Sequence, residues 1–348
     1  MGIQSHKEIE RNENGQYYPV TREELKVLVD DESIHLEYID TSRITDMHAL
    51  FWKPRRWCHD DSYRKDYSGI ETWDVSKVRD MSKMFYSPFY CADVFSGDLS
   101  RWDVSNVCDM SNMFLGAESF NSNISRWDVS NVRDMSGMFH GAKSFNSDIS
   151  RWDVSNVRNM SGMFDGATSF NRDLSRWNVA QVRNMSGMFD GATSFNRDLS
   201  RWNVAQVQNM KGMFRGAVSF NGNIATWDVS NVQDMFEMFY GANSFNGEIG
   251  KWDVSKVENM ASMFFNAFSF NGDIGCWDVS DVRDMSEMFC GATSFDGDLS
   301  QWDVSNVQDM RYIFDYATSF TGNPRLWKKV AEKPLAEALE SLRWRDEV

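Results

Sequence analysis

The chain has 348 residues, with 51 acidic against 36 basic side chains and a formal net charge of -15. That balance disfavours nucleic acid and anionic membrane as partners, because both attract positive surfaces. Length alone would allow two domains, but ten of the 14 Trp recur at a fixed spacing and most of the 21 Met and 25 Phe follow them, which points to one repeat array with caps.

Residues 1–18 are polar and unpatterned, and are expected to form a mobile tail. The start MGIQSHKEIE has no apolar h-region, and His6 stands where myristoylation asks for Ser or Thr. With no uncharged apolar run of about 18 residues, no membrane insertion is expected, and the chain as written reads as cytoplasmic. Residues 19–72 read as an N-terminal cap. Thr21 and Glu24 make a capping-box pattern ahead of Leu25, Leu28 and Val29, so a short helix begins there. IDTSRITDMHALF then follows as a degenerate repeat, with Ile39 in the Trp column.

Two insertions come next, WKPRRWCHDDSYRKDY after Phe51 and YSPFYC after Phe85. Both leave after the same point of the repeat, so they should emerge from one edge of adjacent coils and cover the open first coil. Their thiols, Cys58 and Cys91, are then expected to lie close enough to bridge on mild oxidation. Cys108, Cys276 and Cys290 fill no repeat column and read as free thiols.

Residues 73–327 form the array. Trp102, Trp127, Trp152 and seven further Trp residues up to Trp327 stand 25 apart, and the segments Arg158–Val182 and Arg183–Val207 are identical. In the unit Trp127–Arg151, WDVSNVRDMSGMFHGAKSFNSDISR, Trp127 and Val129 alternate with polar residues as on a half-buried strand. Met135, Met138, Phe139 and Ala142 fall at i, i+3, i+4 and i+7, the spacing of a short helix. Asp134 then suits the helix N-cap and Gly141 the left-handed residue after its end, a place taken by Asn266 in a later unit. A coil of 25 residues lies in the leucine-rich-repeat range of 20–29. The expected fold class is therefore an α/β repeat solenoid of leucine-rich-repeat-like coils, each with a short parallel strand and a short helix, with helical caps at both ends. Residues 328–348 supply the second cap: Leu335, Ala338, Leu339 and Leu342 follow Pro334 with helical spacing.

The run WDVSNVxDMSxMFxGAxSFNxDIS resembles the repeat of the BspA-like surface proteins, a leucine-rich-repeat-like family abundant in mycoplasma lipoproteins, over about Ile39 to Trp327. The resemblance implies a solenoid with a role in adhesion or protein binding, and it carries over no catalytic residue.

Candidate surfaces follow from the columns. Three acidic columns, those of Asp128, Asp134 and Asp148, suggest calcium, but Asn178, Asn159 and Asn123 interchange with Asp in them. What is kept is a short acceptor side chain that closes turns, so no metal and no cofactor are expected. The Asn121, Asn146, Asn171 column is expected to be buried and to bond the backbone of adjacent coils. Arg101, Arg126, Arg151, Arg176 and Arg201 precede Trp in five successive coils and should point outward as a basic stripe suited to an acidic partner or anionic glycan. The position after the unit's first Phe varies most, running Leu115, His140, Asp165, Asp190, Arg215, Tyr240, Phe265, Cys290, Asp315. Tyr240 and Phe265 there, with Phe236 and Phe268 nearby, read as exposed aromatic hot spots.

Five His residues share no metal-ligand spacing, and the hydrolase, zincin and phosphate-loop motifs are absent. His140 reads as a lone surface variant. The function expected is a nonenzymatic scaffold for protein–protein interaction, with a surface adhesin or carbohydrate-binding module as the alternative.

Overall fold

Backbone donors in the repeats alternate between two directions, and this alternation builds the molecule. The computed structural model describes residues 8–52, 64–86 and 97–343; Cys58, Cys91 and their expected pairing lie outside the described residues. In the unit starting at Trp127, the amides of Met135, Gly137, Phe139 and Gly141 donate to the carbonyls of Asn159, Ser161, Met163 and Asp165, one repeat ahead. The amides between them, those of Met138, His140 and Ala142, close turns on the carbonyls of Met135, Gly137 and Phe139. Single parallel bridges then run from repeat to repeat, from Asp46↔Asp80 through Asp134↔Asn159 to Asp284↔Asp309. Each repeat is thus one coil laid on the next.

The short helix expected in each unit is corrected to consecutive turns. A right-handed helix needs φ near −63°, whereas Gly137 has φ 58° and Gly141 φ 69°. A positive φ at the third residue of a hydrogen-bonded turn is the requirement of a type II turn, and Met135–Met138 and Phe139–Ala142 both meet it. Two such turns in succession bring the chain back to the inner side every three or four residues. Met135, Met138, Phe139 and Ala142 are therefore all fully buried at helical spacing without a helix. Asp134, expected as a helix N-cap, instead accepts the amide of Ser136 at 2.8 Å and closes an Asx turn.

The core is a set of aromatic columns. Trp127 and Trp152 stack with ring centroids 6.3 Å apart and planes 3° from parallel. Phe139 lies 3.8 Å from Phe145 within its coil and 5.8 Å from Phe164 in the next. Each indole N–H also needs an acceptor once buried. Trp152 finds the carbonyl of Ile124 at 3.1 Å and Trp202 that of Leu174 at 2.9 Å, each in the preceding coil.

Both ends are closed by side chains of the sign the open ladder requires. The first coil exposes carbonyls, and Arg22 Nε donates to that of His48. Arg22 opens α1 (Arg22–Asp30), whose capping box is formed by Thr21 and Glu24 and whose Leu25, Leu28 and Val29 are buried. Arg64 donates to the carbonyls of Val29, Asp31 and Ile34, so it holds the end of α1 down. The mobile tail expected over 1–18 is corrected over its described part: Arg11 bridges Tyr17, Tyr17 bridges Ile39, and Ile9 is buried.

At the other end the last coil exposes amides. Strand β1 (Asp303–Val304) pairs in parallel with β2 (Lys329–Val330), after which α2 (Glu332–Glu340) crosses the coil. Glu337 Oε2 accepts the amide of Met310 at 2.9 Å, and Ser341 Oγ accepts that of Phe314 at 3.3 Å. The buried side chains here are Pro334, Ala338 and Ser341. Of the apolar face expected, Leu335, Leu339 and Leu342 stay half-exposed, because the helix turns an acceptor face toward the amides.

Candidate functional site: a trough over four glycines

Each coil spends its short acceptor side chains on its own turns. Asp128, Asp134 and Asp148 accept the amides of Ser130, Ser136 and Ser150. Asn178, Asn159 and Asn123 do the same for Ala180, Ser161 and Ser125, so charge is dispensable in these columns. Asp128, Asp148 and Asp173 are held below the ordinary carboxyl value by these bonds from the Ser hydroxyl and amide. The Asn column joins coils as expected: Asn146 N donates to Asn121 Oδ1 at 2.9 Å and Asn171 N to Asn146 Oδ1 at 3.1 Å. These amides are exposed or half-exposed, a correction to the burial expected of them.

From Trp73 to Trp302 the residue ten after each Trp has a positive φ, and its identity decides the shape of the surface. Lys83, Asn112, Glu237, Ser262, Glu287 and Tyr312 occupy it in other coils, with φ between 53° and 60°. Gly137, Gly162, Gly187 and Gly212 occupy it in four consecutive coils. Because larger residues adopt the same backbone elsewhere, the effect of the four glycines is to leave the surface open. A Cβ on Gly162 or Gly187 would meet nothing closer than 3.9 Å. The result is a trough of about 430 Å³ that runs across the coils.

One wall of the trough is the variable column. His140 Nδ1 lies 3.2 Å from Asp165 Oδ2. Arg215 sits 3.7 Å from Asp190 and 3.3 Å from Glu237, which closes one end. Burial pushes Asp165 up to about 6; burial, and next the Asp165 charge, does the same to Asp190. Burial also lowers His140. Neither Asp165 nor Asp190 closes a turn, unlike the aspartates of the three acidic columns.

Beyond Glu237 the wall becomes aromatic. The Arg215 guanidinium lies 5.4 Å from the Tyr240 ring, and Tyr240 stacks on Phe265 at 4.6 Å with planes 1° apart. Lys211 Nζ stands 4.7 Å over the Phe236 ring. The four aromatics expected as exposed hot spots are corrected accordingly: Phe236, Tyr240 and Phe265 are half-exposed and packed on neighbours, while Phe268 alone is open, at 43%. The five arginines Arg101, Arg126, Arg151, Arg176 and Arg201 are all exposed on a different part of the coil and make no ion pair within 4.0 Å with a described residue. A second hollow, of about 410 Å³, lies against Arg101 and Arg126.

A model of the family described as Mycoplasma protein of unknown function, DUF285, matches residues 26–88, 56–171, 147–250 and 233–341. The chain belongs to that family. The DUF285 matches together run from residue 26 to residue 341, and the trough lies within the matched segments 56–171, 147–250 and 233–341. No curated protein matches the chain.

The sequence shows the variable column but not the trough, and in it His140 is a lone surface variant. The available signal was the run of Gly137, Gly162, Gly187 and Gly212 in a column that is otherwise not glycine.

Proposed function

We propose that this DUF285 chain is a nonenzymatic repeat scaffold, a solenoid of the leucine-rich-repeat-like kind, that binds a protein partner through the trough and the aromatic wall continuing it. The observation that carries this reading is where variation sits. Columns that build the coil repeat with little change, whereas Leu115, His140, Asp165, Asp190, Arg215, Tyr240 and Phe265 change chemistry from coil to coil on one continuous strip. A fold that needed this column for stability would repeat it, so its diversity is free for recognition. Its Arg and aromatic members are the types enriched at interface hot spots.

A photo-crosslinking residue in place of Tyr240, in the full chain within its own cells, tests the reading. It should give a covalent adduct to one defined protein, and the same residue at Arg126, on the arginine stripe, should not. An adduct from position 126 alone would move the binding face to the stripe.

The Tyr240–Phe265 stack beside Glu237 and Arg215 supports a second reading, an adhesin or carbohydrate-binding module, in line with the BspA-like resemblance of the repeat. Stacked aromatics beside polar groups suit sugar rings. Binding on a glycan array with no protein adduct from position 240 would favour it.

A further inference from the structure

The trough has a feature that protein binding in general does not require. Two identical coils place two identical carboxylates, Asp165 and Asp190, on one wall, over the emptied positions Gly162 and Gly187. The fixed cations nearby are drawn to the far end: Arg215 lies nearer Glu237 than Asp190, and Lys211 stands over the Phe236 ring. Asp165 faces His140 at 3.2 Å, which burial favours in its neutral form. The middle of the trough therefore combines open volume with two carboxylates, Asp165 beside His140 and Asp190 with Arg215 at 3.7 Å on one side. Four glycine coils at about 4.8 Å each extend for roughly 15–20 Å, enough for about five residues of extended chain.

We infer that the trough holds an extended basic segment of the protein partner, with a lysine ammonium or arginine guanidinium seated over Gly162 and Gly187 between Asp165 and Asp190. This rests on the protein-binding reading and names the chemistry of that partner. Charge-assisted hydrogen bonds to two carboxylates hold the cation, and the net charge of -15 draws basic segments toward the chain. The charged groups facing the pair are His140, Lys211, Arg215 and Glu237. As pH falls, Asp165 and Asp190 take up protons near 6, the trough changes from net negative to net positive, and the cation is released.

The probe is a Gly-Lys-Gly-Lys-Gly peptide with an amidated C-terminus and a tetramethylrhodamine label, followed by anisotropy with the full chain. Two double variants separate the trough from diffuse attraction. Asp165→Asn with Asp190→Asn removes the charge. Gly162→Asn with Gly187→Asn fills the trough and leaves the net charge unchanged, and Asn112 already holds the same left-handed position in another coil. Binding at pH 7.5 should weaken at least tenfold in each double variant, and at least tenfold for the parent at pH 5. Equal affinity in the trough-filled variant would show that the peptide is held by overall charge and would overturn the inference, as would no binding at all. A Tyr240 adduct that persists alongside either result leaves the protein-binding reading standing, and loss of that adduct removes both.

Discussion

The Met310 amide donates to Glu337 Oε2 at 2.9 Å, in the place where every earlier coil has a carbonyl of the next one. A carboxylate on α2 thus ends the ladder, and Ser341 Oγ does the same two donors along, at Phe314. At the opposite end the polarity is reversed and Arg22 supplies a donor to His48. An open ladder edge would be a template for further pairing, and the caps occupy the groups that such pairing would use.

Removing the acceptor should therefore loosen the last coil first. Glu337→Ala leaves the Met310 amide unpaired beneath α2, at a cost of about 1–3 kcal/mol. Hydrogen exchange should show Met310 and Phe314 losing protection while Met185 in the middle of the array keeps it. Unchanged exchange at Met310 would mean that water serves as well as the carboxylate.

Replacing Trp202 by Ala removes a buried indole, 3% exposed and stacked on Trp177 and Trp227. The loss should be about 3–5 kcal/mol and should spread to neighbouring coils. Trp202→Phe keeps an aromatic ring but removes the indole donor to the Leu174 carbonyl, which still accepts the Trp177 amide, at about 0.5–1.5 kcal/mol. Urea unfolding measures both, and a loss under about 1 kcal/mol for the alanine variant would contradict an inward Trp column.

Gly187→Ala tests the correction from helix to turns by its sign. In a helix interior, alanine would stabilise by about 1 kcal/mol relative to glycine. At φ 60°, where Gly187 stands, the added Cβ has room but the backbone region disfavours it, so the variant should lose about 1 kcal/mol. A gain in stability would restore the helical unit.

The repeat, its register and the aromatic core were legible because the Trp spacing and the apolar positions of the unit, such as Val129, Met135, Met138 and Phe139, are periodic, and periodicity is what burial imposes. Left-handed turns at Gly141 and Asn266 were legible for the same reason, since Gly and Asn favour that region. The helix was misread because Met135, Met138, Phe139 and Ala142 satisfy helical spacing and two type II turns equally well. Only the φ at Gly137 separates the two, and in other coils that place holds Glu237, Ser262 or Tyr312, residues that give no hint of a left-handed backbone. The trough escaped notice because it arises from missing side chains on Gly162 and Gly187 next to a column 25 residues away in sequence. A one-dimensional reading registers residues, whereas this site is defined by the space between them.

The raised carboxyls make the stability of the fold depend on pH. Asp165 is pushed up to about 6 by burial, whereas an unfolded aspartate titrates near 3.9. The folded protein therefore binds this proton more readily than the unfolded chain, and its contribution to stability falls as pH rises from about 4 to 6 and stays lost above that. Asp165→Asn removes the penalty without removing the hydrogen-bonding surface toward His140. Since the side chain is 31% exposed, the gain at pH 7.5 is about 1 kcal/mol after allowing for solvent screening. Asp190 is raised in part by the Asp165 charge, so its own value should fall in the variant, which carbon-detected NMR titration of the two carboxyls reads directly. Thermal midpoints of parent and variant from pH 4 to 8 should coincide near pH 4 and diverge through pH 6, with the variant higher. A variant less stable than the parent at pH 7.5 would show that the His140–Asp165 contact outweighs the burial of the charge.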